Sequence, residues 1–569
     1  MKLKMRKNLS VLTLVAVTMT LTLSACSSGS STDTSSASPA PTASTEASAA
    51  PQASTGTPKD KVKPVTFSQY VNYDWFTALK WGDQPHTKWV QDNLQINVNP
   101  VQANGAAANK LNAMIVSDEL PDVIVLDRGK DVDRLQQAGK LVALDPYLEK
   151  YPEFVQAVGE KNINMLRSSD GKLYQIPNWF ISGDKGNGNA AYIVEKKIYK
   201  ALGSPKLETF DDLEAYLKMV KEKYPDVVPF DAGEMRDGAD LQMVGMVYSG
   251  FGDNRTSSFI SPGAGLQFGV PNGDKMTSIY DDPAFQGAVT YVSKLYREGL
   301  TSKDMFTQTR DQISEKLNKG KIAVFAAYDS VTEGLGRTAH NNLRNTDPED
   351  GYITVWPFHA EGVDKDKVFP GGYSTLGWNV NVITTKAKDP EAIFAYYNWM
   401  VTPEAQNLYF FGPQGLYWDK LEDGVPVPND AYINRDPKKY DEQHIGEFLW
   451  AGNTSYIDGT KGKREQALPE AAQDWTTVSQ ATVSFKTSLN TTEFSNMDPD
   501  PKSDLGIIMQ RLKDQYKNSL PKMIFAKSDD EVKSIIAQTS KEAQDMGYDK
   551  VLEFKTKVWQ DNLKKLSGK

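Results

Sequence analysis

From Pro64 to about Asn178 the apolar positions switch between a period of two and a helical period. Val65 to Val71 reads as a strand, Phe76 to Leu94 as a helix, Ile96 to Val101 as a second strand and Ala106 to Ser117 as a second helix. The run Asp122, Val123, Ile124, Val125, Leu126 is almost wholly apolar and stops at Asp127, the pattern of a strand buried on both faces. Strands that alternate with helices imply βαβ units and a largely parallel sheet. Ligands of such sheets bind beyond the carboxyl ends of the strands, which singles out Asn72 to Trp75 and the pair Asp127, Arg128.

A second unit follows. Thr209 and Asp212 mark a helix N-terminus with Leu213, Tyr216, Leu217 and Val220 on one face; Pro283 to Arg297 repeats the theme with Phe285, Val289, Val292 and Tyr296. After Gly320 a strand is expected at Ile322 to Phe325, then a strand pair at Tyr352 to Phe358 and Trp378 to Ile383. Thr402 and Pro403 open another helix. Asp504 to Lys565 is helical in period and charged, with Ser528 and Glu531 spaced as a capping box.

The N-terminal pattern is different. Lys2, Lys4, Arg6 and Lys7 precede a short apolar run, Val11 to Leu23, as in a signal peptide covering residues 1–25. Leu23, Ser24, Ala25, Cys26 then matches the bacterial lipobox, and the resemblance implies lipidation of Cys26, the chain's single cysteine. Residues 26–63 are rich in Ser, Thr, Ala and Pro, a composition that cannot offset chain entropy and reads as a disordered tether. Such a tract spans roughly 30 Å on average.

About 500 residues remain, enough for two or three domains. The formal charge is -9, and cleavage before Cys26 removes four positive and no negative charges, leaving about -13. That sign argues against nucleic acid and anionic membrane surfaces as partners. Enzyme signatures are thin. Gly186, Gly188 and Ala191 spell GxGxxA without a preceding strand; Gly372, Tyr373, Ser374, Thr375, Leu376 is not GxSxG; the four histidines have no metal spacing. Asp498, Asp500 and Asp504 lack the glutamate of a calcium loop and read as an acidic loop. No cofactor and no metal is expected.

The motifs LPDVIVLD (120–127), DGKLYQIP (170–177), YVSKLYREGL (291–300), LNKGKIAVF (317–325) and DPEAIFAYYNWMVTPEAQNLYFFGPQG (389–415) occur in an order that resembles the maltose-binding-protein-like solute-binding family of ABC importers, in its large Gram-positive lipoprotein branch. The resemblance implies an α/β, two-lobed, periplasmic-binding-protein-like (type II) fold that closes on its ligand. Residues 64–180 plus about 321–378 are expected in the N-terminal lobe. About 181–320 plus about 379–569 are expected in the C-terminal lobe with a helical extension. Crossings are expected near Asn178 to Ala191, at Ile322 to Phe325 and at Gly372 to Asn381, with Gly183, Gly186, Gly188, Gly371, Gly372 and Gly377 absorbing hinge motion.

The implied function is capture of an oligosaccharide and its delivery to permease subunits, by a monomer held to the extracellular face of the membrane through lipid alone. Sugars need aromatic faces for their C–H surfaces and polar side chains for their hydroxyls. That demand selects Asp74 with Trp75, Asn178 with Trp179, Tyr328 with Asp329, and Trp378 with Asn379. The family's aromatic at the end of the DVIVLD-like strand is missing, which leaves Asp127 and Arg128 as polar candidates; Glu234 and Arg236 correspond to the second lobe's contribution. Trp399, inside a helical run, reads as core. A cell-surface glycoside hydrolase, a binder of peptides or other small polar solutes, and a cell-wall adhesin are the alternatives.

Overall fold

The computed structural model describes residues 58–567 apart from 184–185, 237, 262–267, 333 and 470–471. Cys26, the signal segment and the tether up to residue 57 lie outside the described residues. The expected tether is too long at its far end. Pro58–Lys61 forms a 3-10 turn, and Lys61 pairs with Glu153 at 2.7 Å, so the chain is fastened to the first lobe before Val65.

The first sheet runs, edge to edge, Ile96–Val101, Val65–Val71, Val123–Asp127, Asn379–Ile383, Gln175–Asn178. The first three strands are parallel, and Asn379–Ile383 is antiparallel to both of its neighbours. Val123 to Leu126 are buried and Asp127 is exposed, as a central strand ending at its tip must be. The helix expected from Phe76 starts only at Pro85, because Gly82 takes φ +88 and Pro85 is pre-set for a first helical turn.

The second sheet runs Tyr352–Val355, Ala191–Glu195, Ile322–Ala327, Val228–Ala232. Here the expected topology needs correction. Ile322–Ala327 pairs with Ala191–Glu195 and Val228–Ala232, so it does not return the chain to the first lobe. Tyr352–Val355 and Asn379–Ile383 are not partners either; they belong to different sheets. Residues 322–373 therefore lie with the second lobe, and the stretch from Leu376 through Ile457 packs into the first lobe's core. A strand buried on both faces carries the same apolar run whichever sheet it enters, so its sequence does not name its neighbours.

Among the described elements the chain passes between the lobes three times: from Gln175–Asn178 to Ala191–Glu195, from Gly371–Tyr373 to Asn379–Ile383, and from the helix Thr454–Gln466 to the helix Trp475–Ser479. Beside them Gly371–Tyr373 runs parallel to Ser488–Asn490, and Thr375 receives Asn162 and Thr492 side chains. Most glycines at these crossings serve close approach rather than dihedral freedom. A Cβ at Gly186 would sit 2.0 Å from the Phe485 carbonyl oxygen, and one at Gly188 would sit 2.1 Å from Ser488 Oγ. Of the six glycines, only Gly183 and Gly377 have positive φ.

The helix Phe210–Lys223 has its capping box, Thr209 with Asp212, and Pro283–Arg297 is a helix as expected. Three helices, Asp504–Ile524, Asp529–Met546 and Tyr548–Ser567, complete the second lobe. Trp399 is fully buried. Among the described residues no helix is long and apolar enough to cross a membrane.

Candidate functional site

The register of the first sheet brings three strand ends to one edge. Asn379, the first residue of its strand, faces Asp127 on one side and Asn178 on the other, both last residues of theirs. The chain leaves this edge for the second lobe at Asn178 and returns to it at Asn379. In the second sheet Ala191 pairs with Ala327, so that sheet's corresponding edge also lies where the chain crosses. The two edges that adjoin the crossings are the walls of the candidate cleft.

On the first wall Tyr73, Trp75 and Trp378 form one aromatic cluster. Tyr73 stacks on Trp75 at 5.3 Å and lies 5.3 Å from Trp378, while the two indoles are 6.4 Å apart. Trp75 is 67% exposed and Trp378 45%. Large rings left this open at a strand-end cleft offer flat apolar faces to a ligand. The Tyr73 hydroxyl donates to Asp127 Oδ1 at 2.8 Å, which orients the ring, and burial together with the Asp127 charge raises its pKa above the usual phenol range. Behind Trp75, Phe76 packs edge-on against Trp450.

Beneath and beside these rings lie polar atoms that the protein leaves unfilled. Asn379 is fully buried and beside the Tyr73 hydroxyl, and neither its Oδ1 nor its Nδ2 makes a well-formed hydrogen bond; Asn178 Nδ2, Trp450 Nε1, and Arg128 Nε and Nη1 are also buried without one. Burial pulls the Arg128 guanidinium down to about 10, so it stays charged at neutral pH. Native proteins satisfy the great majority of buried polar groups, and a concentration of unfilled ones at a single edge marks a place for water or ligand hydroxyls.

Two of the expected residues turn away from this role. Asp74 Oδ1 accepts the Ala107 N–H at 2.7 Å, at the N-terminus of the helix Ala107–Ser117. Trp179 is half-buried, edge-on to Phe410 and 3.0 Å from where a Gly452 Cβ would stand, with its backbone at φ +56. Asn178 Oδ1 holds that turn by accepting from the Trp179 and Gly452 N–H groups.

On the second wall Glu234, Arg236, Tyr328 and Asp329 come together, because Val228–Ala232 and Ile322–Ala327 are parallel and release their following loops at one edge. Arg236 meets Asp329 at 3.2 Å and lies over the Tyr328 ring at 5.3 Å. The Tyr328 hydroxyl donates to Asp240 at 2.9 Å, and burial with that carboxylate raises its pKa. Arg310, which sequence reasoning missed, bridges Glu234 at 3.4 Å and Asp329 at 3.0 Å. It enters from the first turn of the helix Arg310–Asn318, where its spacing carries no signal of the site. Tyr73 was also missed, although it stands between Asn72 and Asp74 in a predicted strand-end loop.

Among the described residues no catalytic constellation accompanies these walls. Glu234 and Asp329 are each bound to an arginine. His86 and His340 are buried and pushed down to about 4, with His86 Nε2 at 2.8 Å from the Glu447 carbonyl oxygen. Asp498 is paired with the buried Lys555 at 2.9 Å. Among the described residues there is no group of three or more His, Cys, Asp or Glu side chains placed to hold a metal.

Comparisons with known proteins agree with this architecture. The chain is 26% identical over 361 residues to lipoprotein LipO of Bacillus subtilis, covering 62% of this chain and 68% of LipO. It is 24% identical over 238 residues to the fructooligosaccharide ABC transporter substrate-binding protein FusA of Streptococcus pneumoniae, covering 39% of this chain and 42% of FusA. The fold of FusA in complex with kestose superposes with a TM-score of 0.62 at 17% identity, over 87% of this chain and 99% of FusA. An extracellular solute-binding protein from Bifidobacterium longum subsp. infantis gives 0.64 at 17% identity, over 88% and 98%. The family profile described as bacterial extracellular solute-binding protein matches residues 76–407. With its two sheets, triple crossing and facing strand ends, the chain belongs to the bacterial extracellular solute-binding protein family.

Proposed function

We propose that the protein is the extracellular receptor of an ABC importer and that its ligand is an oligosaccharide, captured between the lobes and passed to permease subunits. The observation that carries this reading is the first wall: two exposed indoles and a tyrosine beside buried, unfilled hydrogen-bonding atoms of Arg128, Asn178 and Asn379. A sugar needs both, an apolar face for its C–H surface and fixed polar groups for its hydroxyls. The relative FusA, named for fructooligosaccharides, supports the same ligand class. Asp127, Arg128, Trp75, Trp378 and Asn379 are the first-lobe contacts in this proposal. Glu234, Arg236, Tyr328 and Asp329 close on the ligand from the second lobe.

Thermal unfolding against a panel of oligosaccharides tests the reading. A ligand at 100 times its dissociation constant adds about 2.7 kcal/mol to stability. One saccharide raising the melting temperature, with no product after prolonged incubation, is the expected result. Peptides shifting it where no saccharide does would replace the ligand class, and product formation would replace binding by hydrolysis.

The anchor is a second part of the proposal and rests on the lipobox ending in Cys26, with LipO as a relative named a lipoprotein. Cys26→Ala is expected to leave ligand binding unchanged and to abolish membrane attachment with normal maturation. Attachment and processing that persist in the variant refute it. The protein acts as a monomer in this scheme, each copy delivering its own ligand.

A further inference from the structure

The helix Tyr548–Ser567 touches both lobes. Most of it is built into the second: Tyr548, Val551, Leu552 and Trp559 are buried in that lobe's core, and Trp559 stacks on Phe494 at 5.4 Å. The Lys555 ammonium, fully buried, meets Asp498 at 2.9 Å and the Met497 carbonyl oxygen at 3.3 Å. Further along, Asn562 Nδ2 donates to the carbonyl oxygens of Glu493 and Ser495, at 2.9 and 2.8 Å. This side of the helix is held by rings, a buried ion pair and backbone hydrogen bonds.

Its final turn reaches the other lobe. Leu566 packs against the first lobe's core, and the helix lies along the first-lobe helix Glu160–Leu166. Lys565 faces Asp133, on the helix Lys130–Gln137 that follows Arg128 and Gly129. In the turn that Asn562 fastens, Asn496 brings its Oδ1 to 3.6 Å from where a Gly129 Cβ would stand. The contacts therefore land beside the strand end that carries Arg128. The helix Glu160–Leu166 in turn carries Asn162, whose amide donates to the carbonyl oxygens of Ile181 and Thr375 on two of the crossings.

We propose that the last turn of this helix is a releasable strap: rooted in the second lobe, it latches onto the first beside the candidate cleft and limits how far the lobes part. The physical case is one of leverage and asymmetry. Lobes joined only by crossing segments move freely by default, because interfaces within a chain are small and polar. A further contact between the lobes, beside those crossings, restrains the rotation they permit. The root is several buried interactions strong, whereas the latch is one partly buried apolar side chain, Leu566, and the attraction between the Lys565 and Asp133 charges. Opening breaks the latch and leaves the root intact. Hinge-closing proteins need such a bistable contact to hold two discrete arrangements.

The test reads lobe separation directly and needs no ligand, so it stands apart from the sugar-binding reading. In the full chain with Cys26→Ser, spin labels at Val116→Cys, exposed on the first lobe, and Asp311→Cys, exposed on the second, report the interlobe distance by pulsed electron paramagnetic resonance. The pair Lys565→Glu with Leu566→Asp alters only the latch. Termination after Asn562 removes Lys565 and Leu566 and keeps the hydrogen bonds of Asn562. Both are expected to broaden the distance distribution and move its mean outward. The double substitution should keep the circular dichroism of the parent. If the truncated chain fails to fold, the double variant decides alone; a distance distribution identical to that of the parent in the folded double variant overturns the proposal.

Discussion

The two walls of the cleft are built from the same kind of strand end and differ in how far they are finished. On the first, two indoles are open to solvent, and Asn379, Asn178 and Arg128 keep buried polar atoms without partners. On the second, Arg236 and Arg310 already neutralise Asp329 and Glu234 and Asp240 already receives the Tyr328 hydroxyl, although Glu234 Oε2 and Asp329 Oδ1 are also buried without a hydrogen bond. An unfilled buried donor or acceptor costs about 1 to 3 kcal/mol until something occupies it. In the proposed function, the unfinished wall holds the recoverable binding energy. The second wall, whose acids are already charge-paired, contributes shape and closure and a smaller share of the affinity.

The strongest way to break this contrast is to remove the rings. Trp75→Ala together with Trp378→Ala is expected to weaken saccharide binding by about 2 to 6 kcal/mol, taking the scale of ring-on-base stacking for each indole. Both rings are largely exposed, so the double variant should melt within a few degrees of the parent. Titration calorimetry on the folded variant decides it: unchanged affinity would make the first wall a packing surface and reverse the comparison.

A second difference separates the lobes by pH. Glu195, buried in the second lobe beside Asp350, has its carboxyl raised to about 8 by burial and by that neighbouring acid. It also accepts the Lys197 and Ile198 N–H groups at the start of a helix. A folded pKa above the unfolded one means that the stability from this group is complete below about 4.5 and is lost as the pH rises through about 8. Glu195→Gln removes the titration. Relative to the variant, the parent should therefore lose a few kcal/mol between pH 5 and pH 8.5, read from urea midpoints. A difference that stays constant over that window would show that the acid pair is not shared in the folded lobe.

How much of this was legible follows from what each kind of residue signals. Val65–Val71 and Ile96–Val101 announce themselves by periodicity, and Thr209 with Asp212 by a local hydrogen-bonding pattern complete within four residues. The rule that ligands sit beyond strand ends singled out Trp75, Asp127 and Arg128, because a strand end is a local feature, while Asn379 was picked as the polar neighbour of Trp378. The lobe membership of Ile322–Ala327 was not legible, since it depends on which neighbours pair with it and those lie far off in sequence. Arg310 and the cap made by Asp74 were hidden for the same reason: each acts on a partner at least nineteen residues away, Asp329 and Ala107. Hinge glycines were found for the wrong cause, as Gly186 and Gly188 are fixed by crowding.

Trp179 sharpens the contrast within the first lobe. It follows a strand of the same edge but packs inward on Phe410 and Gly452. Trp179→Ala should cost about 2 to 3 kcal/mol of stability, at the low end for a large-to-small change because the ring is only half-buried. Affinity should change less than about threefold, well under the loss for Trp75 and Trp378. A large loss of affinity at unchanged stability would move Trp179 onto the ligand-facing wall.

The smallest expected effect lies on the finished wall. Arg310 is about one-third exposed and bridges two carboxylates that are themselves partly open to solvent. Screening limits such pairs to about 1 kcal/mol or less. Arg310→Met keeps the aliphatic stem and removes the charge, so stability should fall by no more than that amount. Asp329 retains Arg236 at 3.2 Å, whereas Glu234 loses its arginine. If the second wall supplies closure rather than capture, the variant should bind saccharide within about tenfold of the parent, and its remaining loss should shrink as salt screens the exposed carboxylates. A loss equal to that of the double tryptophan variant, insensitive to salt, would mean that Arg310 contacts ligand directly. The two walls would then share the binding energy, and the apparent completeness of the second would be a resting arrangement that ligand replaces.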